Sequence, residues 1–494
     1  MMKRYQFWFV IGTQHLYGEA IFDTIADRGK KMAETLSEAV HPFAEVHFKT
    51  LLKTSEEIDQ LFKEANHDDK VAGIITWMHT FSPSKMWIKG LKRLQKPILH
   101  LHTQFNEQIP WDSIDMDFMN LNQSAHGDRE HGHIHTRMHI PRKVVSGYYK
   151  DEKVLDKIRN WTKSAAGVLE SRQLNVVRLG DNMRNVAVTE GDKVSAEIAF
   201  GWSVNTYGSG DLSKKIQNVT QNELREQLLK YEKRYQMHTD NDASVEYQAK
   251  LEIGIRKLLE DNNAKSFTTT FEDLNGLNQL PGLAAQDLMY EGYGFAAEGD
   301  WKTAAMLRVM KLMANGEGGG NSFMEDYTYH FENDKGYVLG AHMLEVCPSI
   351  AAEKPKIEVH ELGIGGKAAP ARAVFDAKAG PAVQVSLVDL GGRFRMIVTE
   401  CEAIKPLKAM PNLPVSRAMW LLKPNFSVAT EAWIHAGGAH HTVMSYDLDV
   451  EVLRDFAQML KIEFIHIGAD TDVETLKKEL KWNDVSYRLN QLGQ

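Results

Sequence analysis

Short apolar runs alternate with amphipathic segments through the first third of this 494-residue chain. Residues 7–11, 71–77 and 98–102 have the length and apolar character of buried strands, and helical patterns cover residues 32–40 and 85–94. Strands that alternate with helices in this way form a parallel, doubly wound sheet. Because such sheets bind ligands at the carboxyl ends of their strands, we expect the loops at residues 12–17 and 78–81 to carry binding residues.

The pattern changes after residue 320. Before it, the alternation continues, with strands predicted at 176–179 and 266–271 and a helix at 301–313 that Asp300 caps. Beyond it, strand-like segments follow one another with few helices, and Asp389-Leu390-Gly391-Gly392 is typical of a hairpin turn. Short strands at this spacing favour an antiparallel sheet or a small barrel.

The predicted fold class is therefore α/β, in three domains, since a chain of this length exceeds one comfortable hydrophobic core. Two doubly wound, Rossmann-like domains are expected at residues 1–168 and 169–320, followed by a β-rich, barrel-like C-terminal domain at 321–494. The glycine-rich segment 316–320 is expected to form a flexible hinge. A last helix and strand, at 450–460 and 462–467, are predicted to close the chain.

The composition excludes several classes of protein. With 58 basic and 66 acidic residues the net charge is −8, which argues against nucleic-acid binding. The two cysteines, Cys347 and Cys401, cannot form a disulfide framework, so a reducing cytoplasm is expected. No segment approaches the roughly 20 apolar residues of a membrane span, and the apolar run at 7–11 is shorter than the core of a signal peptide.

Two glutamates lie where local geometry can direct a side chain into a cavity. Glu298 stands between Ala297 and Gly299 just ahead of a predicted helix, and its alternative interpretation is an acid favoured by the helix dipole. Glu325 neighbours Asp326 among aromatic residues, where carboxylates seldom lie without a partner. A solvated turn is the alternative for Glu325.

Histidines supply the other candidates. His342 is predicted to lie on a strand, where a hydrogen-bonded core histidine is the alternative. The pair His440-His441 follows two glycines that allow close backbone approach. Because neighbouring residues of a strand face opposite sides, only one of this pair is expected to serve a given site. Two carboxylates and two imidazoles form a coherent ligand set for Mn²⁺ or a similar ion.

Two further motifs carry weaker signals. His131, His133 and His135 would share one face of a strand, as an additional metal site or as an exposed polar segment that also includes His126 and His139. The glycine-rich segment 363–367 lacks the spacing and the following Ser or Thr of a phosphate loop.

The chain resembles the bacterial L-arabinose isomerases nearly from end to end. The segments that carry the resemblance are EGDWKTA (298–304), SFMEDYTYH (322–330), HMLEVCP (342–348), AGGAHHT (436–442) and NLNQSAHG (120–127). The resemblance implies a metal-dependent aldose–ketose isomerase of arabinose catabolism that interconverts L-arabinose and L-ribulose, with D-galactose and D-tagatose as a second pair. The histidine run 131–139 departs from the family pattern, so the resemblance implies no role for it.

The resemblance also implies the composition of the site. Glu298, Glu325, His342 and His441 would bind Mn²⁺, which Co²⁺ can replace, and the two glutamates would transfer protons. A homo-oligomer is implied, hexameric or tetrameric, in which the N-terminal domain of a neighbouring subunit completes the site. The implied substrate contacts are Gln14, Leu16, Tyr17, Phe81, Gln123, His126, Met183 and Phe271.

These assignments give a mechanistic hypothesis. The cation would polarise the sugar oxygens and stabilise an ene-diol, while one glutamate removes the C2 proton and the other handles the hydroxyl proton. Glu298 is assigned as the carbon base, although the sequence does not distinguish this order from the reverse. The alternatives are another aldose isomerase, such as a fucose isomerase, a non-catalytic sugar-binding protein, and a nucleotide-dependent oxidoreductase or kinase.

Overall fold

A computed structural model describes residues 5–314, 320–363 and 366–492 of the chain. The chain divides into two compact units, Met1–Leu169 and Glu170–Gln494. Most of the predicted glycine hinge at 316–320 lies outside the described residues, as do two residues of the glycine-rich segment 363–367.

The first unit is built on a five-stranded parallel sheet with the strand order β2-β1-β3-β4-β5. Its strands are β1 (Tyr5–Gly12), β2 (Ala44–Leu52), β3 (Val71–Met78), β4 (Ile98–His102) and β5 (Lys143–Ser146). Its helices are α1 (Ala20–Val40), α2 (Ser55–His67), α3 (Ile88–Arg93), α4 (Met116–Leu121), α5 (Ser124–Arg137) and α6 (Glu152–Ser171). Every residue of β3 is buried, as expected where helices cover both faces of a parallel sheet.

The second unit begins with a four-stranded parallel sheet in the order β10-β9-β6-β7. The strands of this part are β6 (Asn175–Leu179), β7 (Ser203–Tyr207), β8 (Gln236–Met237), β9 (Ala264–Thr268) and β10 (Gly294–Ala296). Its helices are α7 (Lys193–Phe200), α8 (Ser209–Gln217), α9 (Gln221–Arg234), α10 (Asp242–Asp261), α11 (Gly282–Tyr290) and α12 (Trp301–Met313). Both parallel sheets agree with the doubly wound domains predicted from the sequence.

The remainder of the second unit forms a closed antiparallel barrel. The strands run in the order β15-β18-β11-β12-β17-β16, β16 pairs back with β15, and β19 adds to β16 in parallel. These strands are β11 (Asn321–Glu332), β12 (Lys335–Ala341), β15 (Gly380–Asp389), β16 (Phe394–Ile404), β17 (Arg417–Leu422), β18 (His441–Ser445) and β19 (Glu463–Ile467). Strands β13 (Lys356–Val359) and β14 (Ala371–Val374) pair with β8 in a small separate sheet, and the helices are α13 (Phe426–Ala436), α14 (Val450–Met459) and α15 (Val473–Leu492).

The barrel confirms the predicted architecture, including the hairpin turn between β15 and β16. A closed barrel leaves few unpaired strand edges, which is how a β-rich domain of this kind avoids pairing with other chains. Apolar side chains such as Met324, Val338, Trp420 and Met444 belong to one buried core cluster.

Three local predictions are wrong. Strand β12 ends at Ala341, so His342 follows the strand instead of alternating within it. The histidine run lies on helix α5 instead of a strand, and helix α15 extends the chain beyond the strand predicted to close it. Helix α15 was missed because most of its residues are polar and it packs through few apolar residues, among them Leu476 and Leu480.

No helix within the described residues is both long enough and apolar enough to cross a lipid bilayer.

Candidate active site

Glu298 lies in the tight loop between β10 and α12, at the carboxyl end of a parallel strand. Its backbone is left-handed, with φ of 60°, which is uncommon for a residue with a side chain and costs about 1–3 kcal/mol. The next residue must be glycine, because a Cβ on Gly299 would lie 2.5 Å from the Cα of Asn182. The loop is held by Met183, whose backbone N–H donates to the Glu298 carbonyl at 3.0 Å. A strained loop held in this way points to a functional role for Glu298.

Strand pairing in the barrel brings three more candidates, Glu325, His342 and His441, close to one another. Strand β11 pairs with β12 on one side and β18 on the other, so that Glu325 lies opposite both Ala341 and His441. His342 follows Ala341 directly, and its Nε2 lies 3.9 Å from Glu325 Oε2. The solvated turn considered for Glu325 is wrong, since Glu325 lies within a strand.

His441 is fully buried between two carboxylates. Its Nδ1 is 3.1 Å from Asp300 Oδ2, and its Nε2 is 3.7 Å from Glu298 Oε2. The buried Nε2 atom of His441 has no hydrogen-bond partner in the described part of the chain. Leaving such a nitrogen without a partner is costly, so the geometry fits an atom that coordinates something.

His342 has the same arrangement. Its Nδ1 lies 2.6 Å from Glu345 Oε2, which leaves Nε2 on the side of Glu325. An imidazole whose Nδ1 bonds to a carboxylate while Nε2 stays available is typical of metal-binding histidines, because the carboxylate fixes the ring and makes it more basic. Both predicted histidine ligands therefore fit a divalent cation, with Glu298 and Glu325 as the oxygen ligands.

Aromatic rings separate and orient the two imidazoles. The Phe323 ring lies 4.9 Å from the ring of His342 and 4.9 Å from that of His441, edge-on to both. The Phe271 ring lies nearly parallel to the His342 ring at 6.0 Å. These rings provide apolar walls, which strengthen electrostatic interactions within the site.

The charges around Glu298 and Asp300 favour the ionised forms of their carboxyl groups, which are the forms that bind a metal ion. Burial alone would raise the pKa of Glu298, but the nearby imidazole of His440 and the charges of His441 and His342 outweigh it and lower that pKa. Burial would likewise raise the pKa of Asp300, yet Lys302 and His441 lower it overall. Both carboxyl groups are therefore ionised at neutral pH.

His440 also reaches this site. Its Nε2 lies 3.8 Å from Glu298 Oε2, close to the 3.7 Å of His441, although the His440 side chain is 37% exposed. The expectation that adjacent histidines face opposite sides is wrong here, because β18 begins only at His441 and His440 belongs to the preceding turn. Burial and the Asp300 contact set His441 apart from His440.

Three contributing residues were not identified as site residues from the sequence. Asp300 was recognised only as the cap of α12, a role it does fill by accepting from Thr303 N at 3.2 Å. Glu345 and His440 were not assigned either. The spacing of Glu345 three residues after His342 was the one available signal, and it is too common to be diagnostic.

The predicted substrate contacts fall into two groups. In the second unit, Met183 hydrogen bonds to the Glu298 loop and Phe271 packs beside His342, so both lie next to the candidate metal ligands. The others lie in the first unit, at the carboxyl ends of β1 and β3 and the start of α5: Gln14, Leu16, Tyr17, Phe81, Gln123 and His126.

The residues of the first-unit group contact one another. The Tyr17 hydroxyl donates to Gln123 Oε1 at 3.4 Å, and the rings of Phe81 and His126 lie 4.7 Å apart. Leu16 is 81% exposed in the chain taken by itself. The group is a polar and aromatic surface at the sheet edge where ligands of doubly wound folds bind.

The histidine run forms a buried cluster instead of the strand face predicted. On α5, His131 and His135 are one turn apart, and their Nε2 atoms lie 3.1 Å from each other. Burial, with the charges of Arg142 and His100, lowers the pKa of His135 to about 3. His133 and His139 are exposed, so the predicted trio does not meet.

Comparison with known proteins identifies the family. Models of the L-arabinose isomerase N-terminal, central and C-terminal domains match residues 1–173, 175–316 and 320–463 in turn. The L-arabinose isomerases of Anoxybacillus flavithermus, Geobacillus kaustophilus and Thermotoga petrophila are 54%, 55% and 53% identical to the chain, over 498, 494 and 490 residues. Each match covers 99% of this chain and 99% of the relative.

The fold and these relatives define an enzyme of the aldose–ketose isomerase class. More specifically, the chain belongs to the L-arabinose isomerase family. The resemblance inferred from the sequence motifs is thus confirmed.

Proposed function

We propose that this enzyme interconverts L-arabinose and L-ribulose with Mn²⁺ bound by Glu298, Glu325, His342 and His441. The observation that carries the proposal is the pair of buried imidazoles, each anchored at Nδ1 by a carboxylate and presenting Nε2 to a glutamate. Mixed oxygen and nitrogen ligands suit Mn²⁺, and Co²⁺ is expected to replace it because it accepts the same donors. When bound, the cation supplies Lewis-acid polarisation of the sugar oxygens.

The glutamates carry the proton transfers in this proposal. Conversion of an aldose to its ketose moves a proton from C2 to C1 through an ene-diol and adjusts the protons on O1 and O2. Glu298 removes the proton from C2, and Glu325 exchanges the hydroxyl proton, work that contributes about 10²–10⁴-fold for each group. His440 lies 3.8 Å from Glu298 and favours the ionised form of its carboxyl group, which is the form that accepts a proton.

The walls of the sugar site come from two sources. Phe271 and Met183 border the metal ligands, and they exclude water from the reacting carbons. We assign the remaining contacts to the first-unit group defined above, supplied by a neighbouring copy in a homo-oligomer, hexameric or tetrameric.

D-galactose, which differs from L-arabinose by one hydroxymethyl group on the ring, is expected as a second substrate that yields D-tagatose. The buried, unpaired thiols of Cys347 and Cys401 support a reducing, cytoplasmic location.

The decisive experiment strips the metal, restores Mn²⁺ and assays ketose formation from a panel of aldoses. L-arabinose is expected to give the highest kcat/KM, and the metal-free protein is expected to give no ketose. Full turnover without metal would refute the metal proposal alone. A higher kcat/KM on L-fucose than on L-arabinose would refute the substrate assignment, and the fucose isomerase alternative would replace it.

A further inference from the structure

A cavity of about 390 Å³ opens beside the barrel, and none of the candidate metal ligands lines it. It lies between the β15–β16 hairpin, the end of α13 and the C-terminal helix α15. We call it the arginine pocket, because Arg393, Arg395 and Arg488 all line it. Its volume falls in the range of small-molecule sites, so it is larger than a packing defect between helices.

The charges around the arginine pocket do not cancel. Arg393 Nε and Arg395 Nε each lie 2.9 Å from Glu463 Oε2, and Arg393 also pairs with Asp484. These two acids neutralise two of the three guanidinium groups. Arg488 makes no ion pair within 4 Å among the described residues, although its charge acts on Asp484. Three guanidinium groups therefore face two carboxylates, which leaves one positive charge in excess.

Two of the side chains that line this cavity have hydrogen-bonding groups that an anion could use. Arg393 uses Nε and Nη2 for its carboxylate partners, and its guanidinium is held over the Tyr487 ring at 5.1 Å. Its Nη1 makes no hydrogen bond to the described residues, which leaves two N–H donors. His435 adds a ring nitrogen at the pocket wall, with Glu431 at 3.7 Å as its ion-pair partner. Planar guanidinium groups with unused donors are the usual protein ligands of phosphate.

The arginine pocket also has a carboxylate that can accept hydrogen bonds from the hydroxyl groups of a ligand. Asp484 is 50% exposed and lines the cavity between the arginines. A bare phosphate would be repelled by this carboxylate, whereas a phosphate that bears a hydroxylated chain could donate hydrogen bonds to it. The chemistry of the lining therefore favours a phosphate ester of a polyol over a simple anion.

We propose that the arginine pocket binds the phosphate group of a small phosphorylated polyol or sugar, through Arg393, Arg488 and His435, while Asp484 accepts from its hydroxyls. Nothing in the isomerisation of an unphosphorylated sugar requires this site. It gives the enzyme a means to sense phosphorylated compounds without contacting the reacting carbons.

Isothermal titration at low ionic strength tests the proposal on the metal-loaded, full-length enzyme. The probes are glycerol phosphate, inorganic phosphate and glycerol. Glycerol phosphate is expected to bind saturably, inorganic phosphate more weakly, and glycerol not at all. Equal binding of the two phosphates would limit the site to the phosphate group and overturn the role given to Asp484.

Substitutions at exposed positions distinguish binding in the arginine pocket from nonspecific attraction to positive charge on the surface. Arg488→Gln is expected to weaken glycerol phosphate at least about tenfold, the loss typical of one charge-assisted hydrogen bond. Lys481→Gln removes the same charge from the same helix without lining the cavity, and it should leave the affinity unchanged. Asp484→Asn should tighten inorganic phosphate, because it removes a repelling charge.

The proposal is overturned if no probe gives saturable heat in the millimolar range, or if Arg488→Gln and Lys481→Gln weaken binding equally. Titration of the metal-free enzyme serves as the control for binding at the candidate metal site. Binding that disappears with the metal but survives Arg488→Gln would place the phosphate at the metal and also overturn the proposal.

Discussion

The carboxylate behind His441 offers the sharpest test of the candidate site. Asp300 is buried, lies 3.1 Å from Nδ1 of His441 and caps helix α12 through Thr303 N. Asp300→Asn removes its charge and keeps its shape. Asparagine caps helices about as well as aspartate does, so the change isolates the electrostatic support of the imidazole from the cap.

We expect Asp300→Asn to lower the affinity of the protein for Mn²⁺. Removing a carboxylate that orients a histidine ligand typically weakens metal binding about 10–100-fold, which corresponds to about 1.4–2.8 kcal/mol. Lys302 loses a counter-charge 3.5 Å away, but its Nζ still donates to the carbonyls of Thr189 and Glu190. We therefore expect a folded protein that binds Mn²⁺ less tightly.

In the assay, the metal-stripped protein is titrated with Mn²⁺. The concentration of free Mn²⁺ is measured at each step by electron paramagnetic resonance. Asp449→Asn is the matched control, since Asp449 caps α14 by accepting from Val452 N at 3.0 Å, and α14 (Val450–Met459) includes none of the candidate ligands. Asp449→Asn should unfold near the wild-type temperature, whereas Asp300→Asn should unfold at a lower temperature, because the buried Lys302 loses its counter-charge. The titration is therefore done at a temperature at which circular dichroism shows both variants to be folded. An unchanged Mn²⁺ affinity in Asp300→Asn would refute the positioning role of Asp300.

Three further predictions concern the glutamates, the histidine pair and the first unit. Glu298→Gln and Glu325→Gln should each lower kcat at least about 10²-fold in an assay of ketose formation, with circular dichroism unchanged; normal turnover in either would remove that residue from proton transfer. His441→Ala should lose more Mn²⁺ on dialysis, by elemental analysis, than His440→Ala, and the opposite ranking would show that the wrong histidine was chosen. Because the folded pKa of His135, about 3, lies below its unfolded value, its stabilising contribution is present above pH 6.5 and is lost as the pH falls. Burial also lowers the pKa values of His131 and His79, so the free energy of unfolding should fall between pH 7 and pH 5 in both proteins. Urea unfolding should show that this fall is about 2 kcal/mol smaller in His135→Leu than in the wild type; equal losses in both proteins would contradict this.

Periodicity located most of the elements that hold the site. The apolar runs at residues 7–11 and 71–77 became β1 and β3, and the helix predicted at 301–313 has those bounds as α12. Such elements are determined locally, because the chain buries apolar side chains on a fixed period of two or 3.6 residues. The histidine run on α5 was missed because polar residues carry no such period.

Composition and motifs by themselves determined the fold class, the family and the identity of the candidate ligands. The pairing of β11 with its two neighbours decided that Glu325, His342 and His441 share one end of the barrel. Packing of α12 against β18 also decided that Asp300 supports His441, since the two are 141 residues apart. Glu345, by contrast, supports His342 from only three residues away. Local sequence fixes the period of an element, but contacts between elements depend on how their faces pack, and only the tertiary structure determines that packing.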